Sequence, residues 1–444
     1  MSETTVTVVD KPHLDREDLE AWATVAANSF GGPAGQIAVI HEEIVERRQW
    51  VAEPSFLHAL NYCMLLPGPE AQQLATYLGW LTKGVRGGLL AGGLFILPGF
   101  ISILLLSILY AGWGDVAWVE GLFRGIGPAV IAIVAHAVLR IGLRTIKNTA
   151  LLAIAVGSFV AIFFYELPFP LIVLAAGLIG FVGARARPDV FVTVKGHDAS
   201  ASSAAPPVGA LRTVRTLAIG LGLWLGPVFV IMAITGAGSV WSDIATFFSK
   251  AAVVTFGGAY SVLAYMAQQA VDIYGWLQPG EMVDGLGLAE TTPGPLIQVT
   301  QFVGFLGAHR NPGTLSPFLA GTLGAILATW VTFVPSFLWI LAGAPHVERF
   351  KDRTSLSGAL STITAGVVGV VLNLGIWFGI YTLFSEVAER EWLGARILVP
   401  ALSSVDRLGV LIALGAAWAL FRWKARILYV IAAAGLIGLL AGVI

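Results

Sequence analysis

The sequence predicts an all-α polytopic membrane protein made of two inverted-topology repeats with broken or re-entrant helices, about 9–13 membrane helices or half-helices in all. Three observations support this prediction. Hydrophobic residues make up 57% of the chain and charged residues only 12%, about half the charged share of a soluble protein. Long apolar stretches recur along the chain, and one pattern of glycine and proline occurs twice. Lipid must therefore be the solvent for much of the surface.

Composition also excludes several classes of function. The formal net charge of −1 argues against a nucleic-acid partner. Cys63 is the only cysteine, which excludes an internal disulfide, a thiolate metal cluster and a dithiol redox pair. The first 16 residues are polar and of mixed charge, and they lack the pattern of a cleavable signal. We expect no metal and no cofactor.

Nine stretches are apolar, and most approach the roughly 20 residues that a membrane helix needs. They lie near residues 85–111, 121–143, 148–164, 168–184, 212–236, 315–343, 356–384, 398–421 and 427–444. Residues 185–211 form a low-complexity linker that ends in Pro206 and Pro207. Residues 212–240 then add one connecting transmembrane helix, which takes the chain to the other side of the membrane before the second half begins.

Basic loops predict the orientation of these spans, because cytoplasmic loops carry an excess of Lys and Arg. The alternate loops carry Asp115, Glu120 and Glu166 and are acidic. The N-terminus is therefore predicted to be cytoplasmic, and the second half fits the rule only if it is inserted upside down. The basic residues concerned are Lys83, Arg86, Arg140, Arg144, Lys147, Arg185, Arg187, Lys195, Arg212, Arg215, Arg349, Lys351, Arg353, Arg422, Lys424 and Arg426.

The internal repeat is most visible in two pairs of breaks. Gly31 and Gly32 form the first Gly-Gly break, and Gly257 and Gly258 form the second. Residues 67–69 and 293–295 form the first and second Pro-Gly-Pro breaks. Both pairs are separated by 226 positions, and further matches, such as Gly121 with Gly358, are separated by 237. An insertion of 11 residues around residues 309–317 accounts for the difference.

Residues 20–83 and 246–308 each read as short helical pieces on either side of a break. Proline removes a backbone donor and stops a helix, and glycine permits the turn that restarts it. A restarted helix presents unpaired N–H groups and a partial positive charge. Non-helical backbone at membrane depth is tolerated where it is buried in protein or lines a watery cavity. Four restarts that meet near the midplane therefore predict an anion site.

Side chains near the breaks add candidate ligands to the predicted anion site. Amide and hydroxyl groups can replace the hydration shell of an oxyanion, and Lys250 lies in an apolar run where an ionisable residue is costly. The residues predicted to bind substrate are Gly31, Gly32, Asn61, Pro67, Gly68, Gln72, Lys250, Gly257, Gly258, Thr291, Thr292, Gly294 and Gln298. Glu70 and Glu290 are predicted to carry a coupled proton.

The chain resembles the long-chain, two-domain members of the chromate ion transporter family. The resemblance rests on residues 29–50, 66–74, 255–269 and 290–296. It implies a first repeat at 17–184 after an N-terminal tail at 1–16, and an inverted second repeat at 241–444. It also implies secondary export of chromate across the bacterial inner membrane, which confers chromate resistance. Expected partners are chromate or a similar oxyanion and the bilayer, and a homodimer is left open.

Three alternatives stay open at this point. Chromate and sulfate are both tetrahedral dianions, so the protein is alternatively a sulfate or other oxyanion carrier. A passive anion channel is a second alternative. An integral-membrane enzyme is a third, although the sequence has no paired aspartate cluster and no His-rich haem pattern.

Overall fold

A computed structural model of the chain describes residues 13–114, 116–192, 210–256, 258–346 and 354–443. Predictions that concern residues 1–12, Gly257, the linker residues 193–209 and the basic cluster at 347–353 lie outside the described residues. The described part is almost wholly helical, as expected. The strands found in it form a single antiparallel hairpin.

The first half of the chain begins with short helices and continues with long ones. Asp15 caps α1 in a reciprocal capping box with Asp18. A π-helical turn, Glu42–Arg47, continues α2, and α4 contains a kink at Lys83 and Gly84. The helices are α1 (Arg16–Asn28), α2 (Gly32–His41), α3 (Glu53–Cys63), α4 (Glu70–Trp113), α5 (Ala117–Thr145), α6 (Thr149–Phe163), α7 (Phe169–Ala186) and α8 (Pro188–Phe191).

The second half repeats this order after one additional helix. A π-helical turn, Gln268–Ile273, continues α11, and a 3-10 turn, Leu296–Gln298, precedes α13. The elements are α9 (Ala210–Thr235), α10 (Val240–Val254), α11 (Ala259–Ala267), α12 (Pro279–Thr291), α13 (Val299–Arg310), α14 (Pro317–Gly343), α15 (Thr354–Leu383), β1 (Val387–Trp392), β2 (Ala395–Pro400), α16 (Arg407–Arg422) and α17 (Ile427–Val443).

The element bounds recur at fixed separations. The two π-helical turns begin 226 residues apart, and α5 and α15 begin 237 residues apart. Between α6 and α16 the separation is 258, because the β-hairpin lies between α15 and α16. The equivalent helices α5 and α15 run antiparallel, since Gly142 faces Val368 and Gly127 faces Thr382. The second half therefore has the inverted direction that the loop charges predict.

One predicted span is wrong in its extent. The apolar stretch at 398–421 was expected to be one membrane helix, but its first residues belong to β2 and a 3-10 turn. Helix α16 begins only after Asp406, whose carboxylate accepts the N–H groups of Leu408 and Gly409. The apolar residues before it instead pair with β1. Apolar composition alone does not separate a strand from a helix.

Six of the described helices are long and apolar enough to cross a bilayer, namely α4, α5, α7, α9, α14 and α15. Helices α1, α2, α3, α11 and α12 have 9–13 residues each. At 1.5 Å per residue, such helices reach about 14–20 Å, which is roughly half of the hydrocarbon core. They are therefore the half-helices expected around the breaks.

The helices form two bundles. The junction bundle comprises α1–α4 and α9–α14, and the scaffold bundle comprises α5–α7 and α15–α17. Within the scaffold, Gly180 meets Gly358 and Gly438 meets Gly121, so that the paired helices approach closely enough for backbone contact. The short helices of the second half share one apolar core with the scaffold. Those of the first half have a separate core with α4 and the end of α14.

The molecule has two chemically different ends. We call the end where α1 begins and α7 ends the basic end, because Lys83, Arg140, Arg144 and Arg185 lie there. The opposite end, which carries the β-hairpin, is the hairpin end. Arg396 in β2 pairs there with Glu166 and Glu389 and joins the hairpin to the loop between α6 and α7.

Candidate functional site at the junction of the broken helices

Two reciprocal hydrogen bonds bring the breaks of both halves together. The N–H of Gly68 donates to the carbonyl of Thr255 at 2.8 Å, and the N–H of Gly294 donates to the carbonyl of Ser29 at 2.9 Å. Ser29 and Thr255 end α1 and α10, and both are fully buried. Each Pro-Gly-Pro break is thus held by the helix end of the other half, as the predicted convergence requires.

The two kinds of break have different environments. Gly68 and Gly294 have φ values of +127° and +105°, which only glycine adopts readily. A Cβ at Gly68 would lie 2.6 Å from Ser336 Oγ, and one at Gly294 would lie 3.3 Å from the backbone of Gly99. The Pro-Gly-Pro breaks are therefore packed, and their glycine N–H groups are already engaged. Proline residues 67 and 69 supply no N–H at all.

The first Gly-Gly break faces open space. Gly31 and Gly32 have φ values of +81° and +69°, and no atom lies within 4 Å of a Cβ built at either residue. Helix α2 begins here without a side-chain cap. Its first turn therefore presents N–H groups that the protein does not cap. A Cβ at Gly258 would also meet open space, and its φ is positive at +100°, but its ψ is 168° where that of Gly31 is 31°. Gly257 is outside the described residues.

Buried glutamines surround the junction. Gln72 and Gln298 are equivalent residues and are at most 1% exposed. Gln72 donates to Thr76 at 3.0 Å, and Gln298 donates to Gln301 at 3.2 Å. The Oε1 atoms of both have no hydrogen-bond partner. A buried amide without a partner costs about 1–3 kcal/mol, so each side chain has unused capacity for a polar ligand or water.

A carboxyl group is buried beside the junction. Glu290 is 2% exposed, and its Oε1 accepts a hydrogen bond from the hydroxyl of Tyr260 in the first turn of α11. Its Oε2 has no partner. Its helix packs against α5 and α15 of the scaffold. A carboxyl group in such a place is costly to keep charged and marks a functional position by default.

Two arginines of α5 face the same region from the basic end. Arg140 and Arg144 lie one helical turn apart and are exposed. Arg140 interacts electrostatically with Tyr260, and Arg144 does so with Glu70. Glu70 opens α4, directly after the first Pro-Gly-Pro break, and is half-buried. The arginine pair at the basic end is therefore electrostatically linked to Glu70 and to Tyr260, the partner of Glu290.

The remaining predicted residues lie around the junction rather than at its centre. Asn61 on α3 and Lys250 on α10 are exposed. Thr291 and Thr292 end α12, and their hydroxyls donate to the carbonyls of Leu288 and Ala289. These two hydroxyls retain lone pairs but have no free proton for an anion in this arrangement.

Sequence reasoning missed three groups. Gln36 donates to the carbonyl of Gly294 at 2.6 Å and thereby joins α2 to the second Pro-Gly-Pro break. Tyr260 is the partner of Glu290. Arg140 and Arg144 were assigned only to a cytoplasmic loop. The i, i+4 spacing of the two arginines was visible in the sequence, but nothing in it showed which neighbours they face.

The fold and the junction define a polytopic helical membrane protein in which two inverted sets of half-helices meet. The family model described as "Chromate transporter" matches residues 19–181 and 242–439. The chain belongs to the chromate transporter family.

Individual relatives agree with this assignment. The chain is 32% identical to the "Chromate transport protein" of Pseudomonas aeruginosa over 92% of this chain and 88% of the relative. It is 29% identical to the "Probable chromate transport protein" of Synechococcus elongatus, over 79% and 82% of the two chains. The "Chromate transport protein" of Cupriavidus metallidurans is 28% identical over 77% of each. No solved structure matches the chain significantly.

Proposed function

We propose that the protein is a secondary transporter that exports chromate, or a similar tetrahedral oxyanion, across the bacterial inner membrane and thereby confers resistance. The names of its relatives supply the substrate class for this proposal. By the positive-inside rule, the basic end, where α1 begins, would be the cytoplasmic end. Residues 17–184 and 241–444 would then be the two inverted repeats, joined by the linker at 185–211 and the connecting helix at 212–240.

The observation that carries this proposal is the open first Gly-Gly break. Gly31 and Gly32 leave the start of α2 uncapped and in open space, while Arg140 and Arg144 are exposed on the facing scaffold helix. Uncapped helix N-termini and arginines both favour an anion. The arginines would attract a dianion from the cytoplasm, and the start of α2 would receive it.

The buried polar groups would then select and hold the anion. The amide groups of Gln72 and Gln298 have unused hydrogen-bonding capacity, and Asn61 and Lys250 lie on exposed faces of the adjoining half-helices. Gly68 and Gly294 would serve by holding the two halves in register, because their N–H groups are already bonded across the repeat. The backbone of Thr291, Thr292 and Gly258 completes the proposed lining, because the two threonine hydroxyls already donate within α12.

Glu290 is the proposed proton carrier, with Glu70 as the second. Glu290 is buried, has one unpartnered oxygen and rests on Tyr260. Its helix, α12, contacts the scaffold helices α5 and α15, so a change in the charge of Glu290 would act on the interface between the bundles. Protonation of Glu290 would remove a buried negative charge near the anion path and so favour occupancy by a dianion.

The test is uptake of labelled chromate into inside-out vesicles, with and without an imposed pH gradient. Saturable uptake that responds to the gradient supports coupled export. If unlabelled sulfate inhibits the uptake of labelled chromate at a lower concentration than unlabelled chromate does, sulfate is the preferred substrate. Single-channel currents far above carrier turnover would indicate a passive channel, and chemical consumption of chromate by the purified protein would indicate an enzyme.

A further inference from the structure

Equivalent half-helices are packed differently at the two ends. Helix α11 packs along α15, whereas α2 and α5, the equivalents of this pair, have no comparable interface among the described residues. Ala264 on α11 is 3% exposed, but the equivalent Ala38 on α2 is exposed. The separate apolar core of α1–α3 shows the same separation from the scaffold. One interface is formed and its symmetry mate is not.

The formed interface shows what the missing one would contain. At the hairpin end, a small pocket is lined by residues from α11 and its π-helical turn, α15 and the end of α6. Gln268 there donates to the carbonyl of Glu166 at 3.4 Å. The recurring separations of 226, 237 and 258 residues assign an equivalent at the basic end to each member. Gln268, Asp272, Asn373, Trp377 and Glu166 correspond to Glu42, Glu46, His136, Arg140 and Lys424.

The residues assigned in this way have complementary charges. Glu42 and Glu46 on the π-helical turn are acidic, and Arg140 and Lys424 on the scaffold are basic. Glu42 and Glu46 have side chains that are 63% and 62% exposed and that contact Arg47 and His41 of their own segment. Arg140 and Lys424 are exposed as well. The left-handed backbone of Lys424, with φ +53°, matches that of Glu166, with φ +51°, so the two turns share one shape. Opposite charges at matched positions favour docking and fix its register.

We propose that Glu42 and Glu46 dock onto Arg140 and Lys424 in a second state of the protein and close the basic end. In the described state Arg140 is exposed and can attract an anion. In the closed state the carboxylates of Glu42 and Glu46 would take the place of that anion beside Arg140. The same residues thus take part in substrate capture and in closure. This inference rests on the proposed transport function, because closing one end has a use only if the other end opens.

Paired cysteines test the docking directly. In a Cys63→Ser background, Ala38→Cys with His136→Cys reports the proposed basic-end interface, and Ala264→Cys with Asn373→Cys reports its formed equivalent. A short bifunctional thiol reagent is applied to membranes with and without chromate. We expect the hairpin-end pair to cross-link in the described state. The basic-end pair should also cross-link, and the yields of the two pairs should change in opposite directions when chromate is added.

Charge exchange separates docking from simple proximity. Arg140→Glu should lower the basic-end cross-link at least about tenfold, the equivalent of ~1.4 kcal/mol, and adding Glu46→Arg should restore it. Glu120→Arg, an exposed change at the hairpin end, is the matched control and should leave the yield unchanged. Absence of the basic-end cross-link in all conditions, while the hairpin-end pair still reacts, would overturn the docking. So would equal yields with and without the charge exchange.

Transport measured on the same membranes distinguishes the two proposals. If the protein takes up chromate but its basic-end pair never cross-links, the transport function is supported and the docking is refuted. A basic-end cross-link that forms and obeys the charge exchange in a protein that moves no oxyanion would support the docking and refute the function.

Discussion

The hairpin end and the basic end are built from equivalent elements, yet among the described residues only the hairpin end has its half-helix packed on the scaffold. There, α11 and its π-helical turn lie on α15, and the β-hairpin adds Arg396 between Glu166 and Glu389. At the basic end, α2 and its π-helical turn lie apart from α5, and a cavity of about 480 Å³ extends beside α3, α9 and α14. The difference shows that one fold can place the same half-helix in two relations to the scaffold.

The largest effect is expected at Glu290, whose carboxyl group is buried beside the junction. Glu290→Gln should lower transport driven by a pH gradient by about a hundredfold, since the amide that replaces the carboxyl group cannot carry a proton. Exchange of chromate for chromate should be much less affected, because it needs no net proton movement. Both rates are measured in vesicles, with Glu120→Gln as the exposed control. Equal loss of both rates would assign Glu290 to binding or folding instead.

The two kinds of glycine break should differ in their response to a methyl group. Gly68→Ala should lower the unfolding free energy by about 3 kcal/mol, because it combines a backbone that only glycine adopts with a close approach to Ser336. Gly31→Ala should cost only about 1–2 kcal/mol, because the backbone is left-handed but the space is open.

Thermal unfolding in detergent compares these variants. Gly93→Ala is the control, because its surroundings are open and its φ is not in the left-handed region. It should be neutral or slightly stabilising. Equal destabilisation by Gly31→Ala and Gly68→Ala would contradict the distinction between packed and open breaks.

Arg140→Ala and Arg144→Ala should weaken capture of the anion at the open end. We expect the apparent KM for chromate to rise by about tenfold with a smaller change in maximal rate, since a positively charged cleft concentrates an anion at its mouth. High salt should reduce the difference from the wild type. Arg187→Ala, also exposed at the basic end, is the control. An unchanged KM in both variants would remove the arginines from the path.

The sequence predicts the features of this comparison that depend on local signals, and it does not predict those that depend on contacts between distant residues. The repeat, the inverted direction and the half-helices follow from glycine, proline and loop charges, which act locally. The hairpin was missed because the stretch from residue 398 was treated as one apolar helix, although Pro400 and Asp406 are local signals that the helix begins later. Glu70 and Glu290 could be proposed from the sequence because ionisable groups beside apolar runs are visible there, and their role in proton coupling stays a prediction. Tyr260 and Gln36 were missed because they become significant only through neighbours that are distant in sequence.

The smallest effect is expected at the hairpin. Arg396→Ala removes partly exposed ion pairs to Glu166 and Glu389, and such pairs are typically worth about 0.2–1 kcal/mol. The closed end should therefore open only about twofold to fivefold more often. The readout is the rate at which Ala264→Cys reacts with a soluble thiol reagent in a Cys63→Ser background. A rate that does not change would mean that α11 and α15 alone keep this end closed.

The most direct test of the central claim is a pair of distances measured by pulsed electron paramagnetic resonance. Spin labels at residues 47 and 143 report the basic end, and labels at the equivalent residues 273 and 380 report the hairpin end. Chromate and a change of pH should shorten one distance while they lengthen the other, because the two interfaces are alternatives. Two distances that stay fixed, or that shorten together, would contradict alternating closure of the two ends.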